Sequence, residues 1–137
     1  ITHNDATYKK PVTLNINLES LENGKSFKLS NIYFENNSFV INEVANEVLT
    51  AFANYLNLNN NLVIEVNGFT DNIGDGKDNQ VLSENRADAV CKLLISSGVA
   101  SSRLKFNGYG ERYPVANNSD EQGRASNRRT EFRIIKQ

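Results

Sequence analysis

The stretch LVIEVNGFTDNIGDGKDNQVLSENRADAVCKLLISS, residues 62–97, is the most informative part of the sequence for predicting the fold. It opens with Leu62, Ile64 and Val66 in strict alternation, which predicts a strand with one buried face. A loop over 68–78 follows and contains three glycines and three aspartates. From about 80 to 97 apolar residues return at helical spacing, so an amphipathic helix is expected there. Its apolar side carries Leu82, Ala87, Val90, Leu93 and Leu94.

Upstream of this stretch, the pattern predicts a second helix and two extended segments. Asn42 is a suitable N-cap for a helix of about four turns. The apolar residues that recur along this helix are Val44, Val48, Leu49, Phe52 and Leu56. Strict alternation over 12–18 predicts a strand, and a further extended segment covers 27–34. A polar loop at 35–38 separates that segment from the helix.

Downstream, the chain is expected to return to the sheet twice. Gly98 is a suitable residue for ending the helix, because it tolerates a left-handed backbone conformation. Alternation over 104–108 predicts a third core strand with Phe106 on its buried side. A long loop follows, with a helical turn near 121–126, and the last strand is predicted at 130–136.

The order of these elements predicts the fold class. We expect an α/β (α+β) two-layer sandwich with a βαβαββ core, plus an N-terminal extension strand. Two helices pack on one face of a mixed four-stranded sheet in this architecture. The two helical connections are long enough to act as right-handed crossovers.

Composition narrows the possible functions. The 137 residues suit one domain, and a formal net charge of −1 argues against a nucleic-acid partner. No apolar run approaches the roughly 18 residues that a membrane helix needs, so we expect no direct insertion into a membrane. The chain begins at Ile1 and has no Met, so we expect it to be part of a longer protein.

The sequence offers little for metal binding or covalent catalysis. An EF-hand loop that starts at Asp71 would need an oxygen ligand and a glutamate where Ile73 and Leu82 stand. The single histidine, His3, lies in a polar N-terminal segment, and Cys91 in a helical apolar pattern is expected to be buried and inert. Ser83 has no base and is expected to bond its own helix backbone. We therefore expect no metal, no cofactor and no enzymatic activity.

Four arginines near the C-terminus raise the question of nucleic-acid binding. They are Arg124, Arg128, Arg129 and Arg133. No aromatic stacking motif accompanies them, so solvated surface arginines are the expected interpretation.

Asp71 and Arg86 allow two interpretations. Asp71 could hold its loop through an Asx-turn, and Arg86 could be a solvent-facing residue in the second turn of its helix. Alternatively, both side chains converge at one edge of the sheet, where an acid and a guanidinium grip a ligand with an ammonium and a carboxylate. Asn79, near the helix start, could add an amide.

Four ordered motifs carry a family resemblance. They are GFTDNIG at 68–74, NQVLSENRADAV at 79–90, GYGERYP at 108–114 and GRASNRRTEF at 123–132. Together they resemble the OmpA-like C-terminal domain, a peptidoglycan-binding module, over residues 29–135. Phe69 departs from the His or Tyr that is common at its position.

The resemblance implies a ligand and a set of site residues. The ligand is the meso-diaminopimelate of the peptidoglycan stem peptide, bound without covalent chemistry. By resemblance, Asp71 takes the ammonium, Arg86 takes the carboxylate, and Asn79 and Leu82 line the pocket. Thr70 and Arg128 shape the pocket, Arg128 by bracing the loop.

The resemblance also implies a setting for the protein. We expect a periplasmic module that anchors an envelope protein to the cell wall and is tethered to the outer membrane through parts outside this chain. Residues 1–28 are expected to be a linker or the end of an upstream domain, and 29–137 the binding domain. The alternative is an assembly module that contacts other envelope proteins without binding the wall.

Overall fold

The computed structural model describes residues 24–29 and 32–136. The described elements, in chain order, are β1 (Ser26–Phe27), α1 (Glu43–Leu58), β2 (Val63–Phe69), α2 (Gly76–Ser96), a 3₁₀ turn (Ser101–Arg103), β3 (Leu104–Gly108), α3 (Glu121–Asn127) and β4 (Arg129–Lys136). The strand predicted at 12–18 lies outside the described residues. The predicted division at residue 28 stays a prediction, although β1 pairs with the sheet from within the proposed extension.

The four strands form one mixed sheet in the order β1-β4-β2-β3. Strands β2 and β3 are parallel and are joined by α2, whereas β4 runs antiparallel to both β2 and β1. The predicted α/β two-layer architecture is therefore confirmed, and the segment near 121–126 is a third, short helix.

One face of the sheet packs against α1 and α2 to form the core. Ile64, Val66, Phe132 and Ile134 are fully buried on this face. Phe52 of α1 meets the Phe132 ring edge-on, with ring centroids 5.1 Å apart. The opposite face carries Glu65, Glu131 and Arg133, so the strand periodicity seen in the sequence reports one covered core face.

The upstream extended segment differs from its prediction. Among the described residues of this segment, Ser26–Phe27 alone forms a strand, rather than 27–34. Leu29 and Ile32 are buried in the core without strand pairing. Their apolar character therefore reflects packing against the core, which sequence alternation does not distinguish from sheet pairing.

The strand predicted at 104–108 is present with these bounds, but it does not lie in the middle of the sheet. β3 is an edge strand, bonded only to β2 among the described strands. Phe106 is therefore 45% exposed, although it shares a face with buried residues of β2. Val44 of α1 is similarly exposed, and Ala45 takes the buried position instead.

Helix α2 begins four residues earlier than predicted. The Asp75 side chain accepts hydrogen bonds from the backbone N–H groups of Lys77 and Asp78, so the helix starts at Gly76. Arg86 consequently lies in the third turn, not the second. At the other end, Gly98 follows the helix with φ +104°, as its predicted role requires.

Two paired glycines let α2 lie unusually close to the sheet. Gly68 and Gly108 are partners on adjacent strands. A Cβ on Gly68 would stand 2.4 Å from the carbonyl oxygen of Ser83, and one on Gly108 would stand 2.4 Å from the backbone nitrogen of Glu84. The Ser83 hydroxyl also accepts a hydrogen bond from Gly110 N at 2.9 Å, which fixes the helix one turn before Arg86.

Candidate functional site

A cleft of about 440 Å³ opens beyond the C-terminal end of β2. All six site residues predicted from the sequence line it, namely Thr70, Asp71, Asn79, Leu82, Arg86 and Arg128. The other lining residues are Asn36, Asn37, Ile73, Glu121 and Arg124. Connectivity explains the convergence, because the loop after β2 and the early turns of α2 occupy the same edge of the sheet.

Asp71 presents its carboxylate in a fixed orientation. One oxygen, Oδ1, accepts a hydrogen bond from Ile73 N at 3.0 Å, which is the Asx-turn considered from the sequence. The other, Oδ2, forms a 2.8 Å salt bridge with Nη1 of Arg128. The Asp71 side chain is only 12% exposed. The structural role leaves room for a further hydrogen-bond donor, since an ionised carboxylate has about four acceptor positions.

Arg86 is buried rather than solvent-facing, with 4% of its surface exposed. Its Nε donates to the Ser38 carbonyl at 2.9 Å and its Nη2 donates to the Glu35 carbonyl at 3.1 Å. The guanidinium also lies over the Phe34 ring, 5.1 Å from its centroid. The remaining N–H groups make no hydrogen bond within residues 24–29 and 32–136.

Burial sets the electrostatics of Arg86. Desolvation, together with the nearby positive charge of Arg128, lowers the pKa of Arg86 to about 10, and the Asp71 charge partly offsets this. The group is still a cation at neutral pH. Among the described carboxylates, none forms a salt bridge with it. A buried cation without a close counter-ion is costly, so an anion that enters the cleft is favoured.

The loop that carries Asp71 is held at several points. Asn79 donates from Nδ2 to the Ile73 carbonyl at 3.0 Å and to Glu111 Oε1 at 3.3 Å. The Thr70 hydroxyl donates to the Asp71 carbonyl at 2.8 Å, and Thr70 N donates to the Gly110 carbonyl at 2.8 Å. These bonds make the Asp71 loop a preorganised part of the cleft.

Arg128 bridges two acids across the cleft. In addition to Asp71, it binds Glu121 through Nη2 at 2.6 Å. Hydrogen bonding to Glu121 and then to Asp71 raises the pKa of Arg128, and the same bond to Arg128 lowers the pKa of Glu121. The guanidinium of Arg128 links the Asp71 loop to helix α3, and its bracing role stays a prediction.

The opposite wall of the cleft is the turn at 35–38, which the sequence predicts only as a polar loop. Asn36 and Asn37 lie between the two carbonyls that Arg86 binds, and Asn37 has φ +58°. Ser38 N donates to the Glu35 carbonyl at 3.0 Å and closes the turn. Glu121 and Arg124 were also missed as lining residues. Nothing local in the sequence indicates that 35–38 and α3 face Asp71.

The four C-terminal arginines are paired and not simply solvated. Each forms a salt bridge with a carboxylate: Arg124 with Glu121, Arg128 with Asp71 and Glu121, Arg129 with Glu131, and Arg133 with Glu65. Arg129 also lies 3.8 Å from the centroid of the Phe69 ring. This pairing leaves little free positive charge for a polyanion.

The remaining candidates for chemistry have structural roles. The Ser83 hydroxyl donates to the Gln80 carbonyl at 2.8 Å, within its own helix. Cys91 is buried, and desolvation raises the pKa of its thiol to about 12. The described part of the chain contains no group of three or more His, Cys, Asp or Glu residues that could hold a metal. Among the described helices, none combines the length and apolarity needed to cross a bilayer.

Comparison with known proteins identifies relatives in the bacterial envelope. A family model described as the OmpA family matches residues 33–128. Outer membrane porin F of Pseudomonas fluorescens is 52% identical over 71 residues, which are 52% of this chain and 22% of the porin. A peptidoglycan-associated lipoprotein of Pseudomonas putida is 39% identical over 105 residues, which are 77% of this chain and 63% of the lipoprotein.

A solved structure agrees with the fold. The periplasmic domain of Helicobacter pylori MotB superposes with a TM-score of 0.73 at 32% identity, covering 85% of this chain and 78% of that chain. The chain spans less than two thirds of the first curated relatives, at 22%, 48% and 63% of their lengths.

Proposed function

This chain belongs to the OmpA family, and we propose that it binds peptidoglycan without covalent chemistry, through the meso-diaminopimelate of the stem peptide. The name of the Pseudomonas putida relative, peptidoglycan-associated lipoprotein, supports the cell wall as the partner. We further propose that the module anchors an envelope protein in the periplasm, tethered to the outer membrane through parts outside this chain. The name of the porin relative supports that setting.

The observation that carries this proposal is the buried Arg86 without a carboxylate partner in the described part of the chain. Two of its N–H groups bind the wall of the cleft, and the others have no hydrogen-bond partner among the described residues. A carboxylate can take two parallel hydrogen bonds from a guanidinium, which a lysine cannot copy. The cleft therefore suits an anionic group at Arg86.

In the proposed mode, Asp71 binds the ammonium of the ligand. The acid lines the same cleft as Arg86, and we propose that the two groups bind the two charged ends of one small zwitterion. An ammonium next to Asp71 and a carboxylate next to Arg86 match the free end of diaminopimelate. Thr70 and Asn79 hold the Asp71 loop in place, and Leu82 supplies apolar surface in the proposed mode. No step in this mode needs a cofactor or breaks a bond.

Retention on purified sacculi tests the proposal. The variants Asp71→Asn and Arg86→Lys change the recognising groups with little change in volume. Arg86→Ala is less suitable, because it would also release the carbonyls of Glu35 and Ser38. Removing the charge from one partner of a buried, hydrogen-bonded pair costs about 2–5 kcal/mol, so Asp71→Asn is expected to lose at least about tenfold in affinity. Arg86→Lys keeps the charge but loses the paired hydrogen bonds of the guanidinium, so its affinity is also expected to fall.

Matched controls separate recognition from general charge. Asp88→Asn removes an acid of α2 that pairs with Lys92, and Arg133→Gln removes an arginine that pairs with Glu65. Both are expected to keep wild-type retention. Undiminished retention of an Asp71→Asn/Arg86→Lys double variant would rule out this site.

Calorimetry with meso-diaminopimelate distinguishes the alternative function. Wall binding at this site predicts heat of binding for the wild type and loss of that heat in both variants. An assembly module that contacts other envelope proteins predicts neither heat nor retention. Many stem peptides on one sacculus raise overall attachment by avidity, so the free amino acid is expected to bind more weakly than the sacculus.

A further inference from the structure

Asp71 is already occupied by a cation in the absence of ligand. Its Oδ2 binds Arg128 at 2.8 Å, and its Oδ1 binds the backbone of its own loop. A ligand ammonium must therefore share or displace the Arg128 guanidinium. The affinity of the acid for its ligand depends on how strongly Arg128 holds it.

Glu121 binds the same guanidinium as Asp71, through a different nitrogen. Its Oε2 lies 2.6 Å from Nη2 of Arg128, and its side chain is 67% exposed, against 12% for Asp71. Glu121 is thus an acceptor at the rim that can retain Arg128 when Asp71 receives another cation. Its hydrogen bond is also the largest cause of the raised pKa of Arg128.

The net charge of the cleft also affects the binding of an ammonium. Its lining carries three arginines, Arg86, Arg124 and Arg128, and two acids, Asp71 and Glu121, which gives a net charge of +1. Loss of the Glu121 charge would raise this to +2. A more positive cleft repels an ammonium and directs Arg128 towards the one acid that remains.

We infer that Glu121 sets the affinity of the site for the ammonium of its ligand, by drawing Arg128 away from Asp71. Glu121 is in this view a specificity-determining residue, and Arg128 is a competing internal cation as well as a brace. The inference rests on the proposed function for its ligand, whereas the competition within the free protein is independent of any ligand. A purely structural bridge makes the opposite prediction, because Glu121 would then orient Arg128 onto Asp71.

The free protein provides the first test. A double-mutant cycle of Asp71→Asn and Arg128→Gln, followed by urea unfolding, measures the coupling between this pair. The cycle is run with Glu121 present and again in an Glu121→Gln background. Competition predicts a larger Asp71–Arg128 coupling in the Glu121→Gln background. An equal or smaller coupling would overturn the inference.

Calorimetry with meso-diaminopimelate gives the second test. Glu121→Gln is expected to weaken binding by about 2- to 5-fold, the range for partly exposed ion pairs, and Arg128→Gln to strengthen it. Adding Glu121→Gln to Arg128→Gln should remove most of the Glu121 effect, since the acid acts through the arginine. Glu84→Gln, an exposed acid of α2 outside the cleft, is the control.

The outcomes separate the two proposals. Weaker binding in both Glu121→Gln and Arg128→Gln would contradict the inference and leave the proposed function intact. Absence of wild-type binding to diaminopimelate or sacculi would contradict the proposed function and, with it, the ligand role of Glu121. The coupling measured in the free protein would still decide whether Glu121 competes for Arg128.

Discussion

Replacing Gly68 with alanine is expected to force α2 away from the sheet. The new Cβ would stand 2.4 Å from the Ser83 carbonyl oxygen, whereas ordinary contacts begin at 3.4 Å, so a retreat of roughly 1 Å is required. Such overpacking typically costs about 1–3 kcal/mol, and the lower entropy of the unfolded alanine chain offsets about 0.4–1 kcal/mol. We therefore expect Gly68→Ala to destabilise the domain by about 1–2 kcal/mol in urea unfolding.

The same retreat should reach the cleft. Ser83 lies one turn before Arg86, so a displaced helix shifts the guanidinium relative to Asp71, and sacculus retention should fall with stability. Gly76→Ala is the matched control, because its Cβ would meet only Glu111 Oε1, at 3.6 Å. It should unfold within about 0.5 kcal/mol of wild type. A Gly68→Ala protein as stable as that control would refute the close approach of α2.

Two further predictions concern buried polar groups. Asn127 is fully buried and accepts hydrogen bonds from the backbone N–H groups of Val115 and Ala116, so Asn127→Ala should cost about 2–4 kcal/mol in urea unfolding, with the exposed Asn61→Ala unchanged. Desolvation raises the pKa of Cys91 to about 12, so the folded state keeps a proton that the unfolded thiol loses above about pH 8.5. Stability should therefore decrease as pH rises from about 8.5 towards 12, and less so in Cys91→Ala; an identical pH profile for both proteins would contradict this.

The parts of the fold that the sequence predicted are those set by local periodicity and caps. Asn42 caps α1 through its side chain, and Phe132 and Ile134 face the core, because a period of two or of 3.6 reports which face is covered. The start of α2 was misjudged, because a loop rich in glycine and aspartate conceals the capping role of Asp75.

The strand order could not be predicted from local sequence patterns. β4, the last strand in the chain, inserts between β1 and β2, which leaves β3 at the edge and exposes Phe106. Pairing between segments distant in sequence depends on the whole core and leaves no signature in one strand.

The candidate site was likewise predictable from local sequence only in part. Asp71 and Arg86 share a cleft because one strand–loop–helix unit carries both. Their spacing in the sequence predicts this arrangement. The partners of Arg86 are carbonyls at residues 35 and 38, which lie 51 and 48 positions away. Every residue type has a backbone carbonyl, so the residue types at 35 and 38 do not indicate that these positions bind Arg86. The bridge that Arg128 forms between Glu121 and Asp71 depends on β4 returning beside β2, which required the assembled sheet.

The strand directions have a mechanical consequence for a module under load. Asp71 follows the end of β2 that pairs with the beginning of β4, at Phe69 and Arg129. Both ends of the described chain lie at the opposite end of these strands, where Gly24 N donates to the Ile134 carbonyl and Lys136 pairs with Val63. Tension between a bound ligand and either end therefore runs along the strands. Such a pull loads the rungs of the central β2–β4 ladder in shear, all together, instead of opening them one at a time.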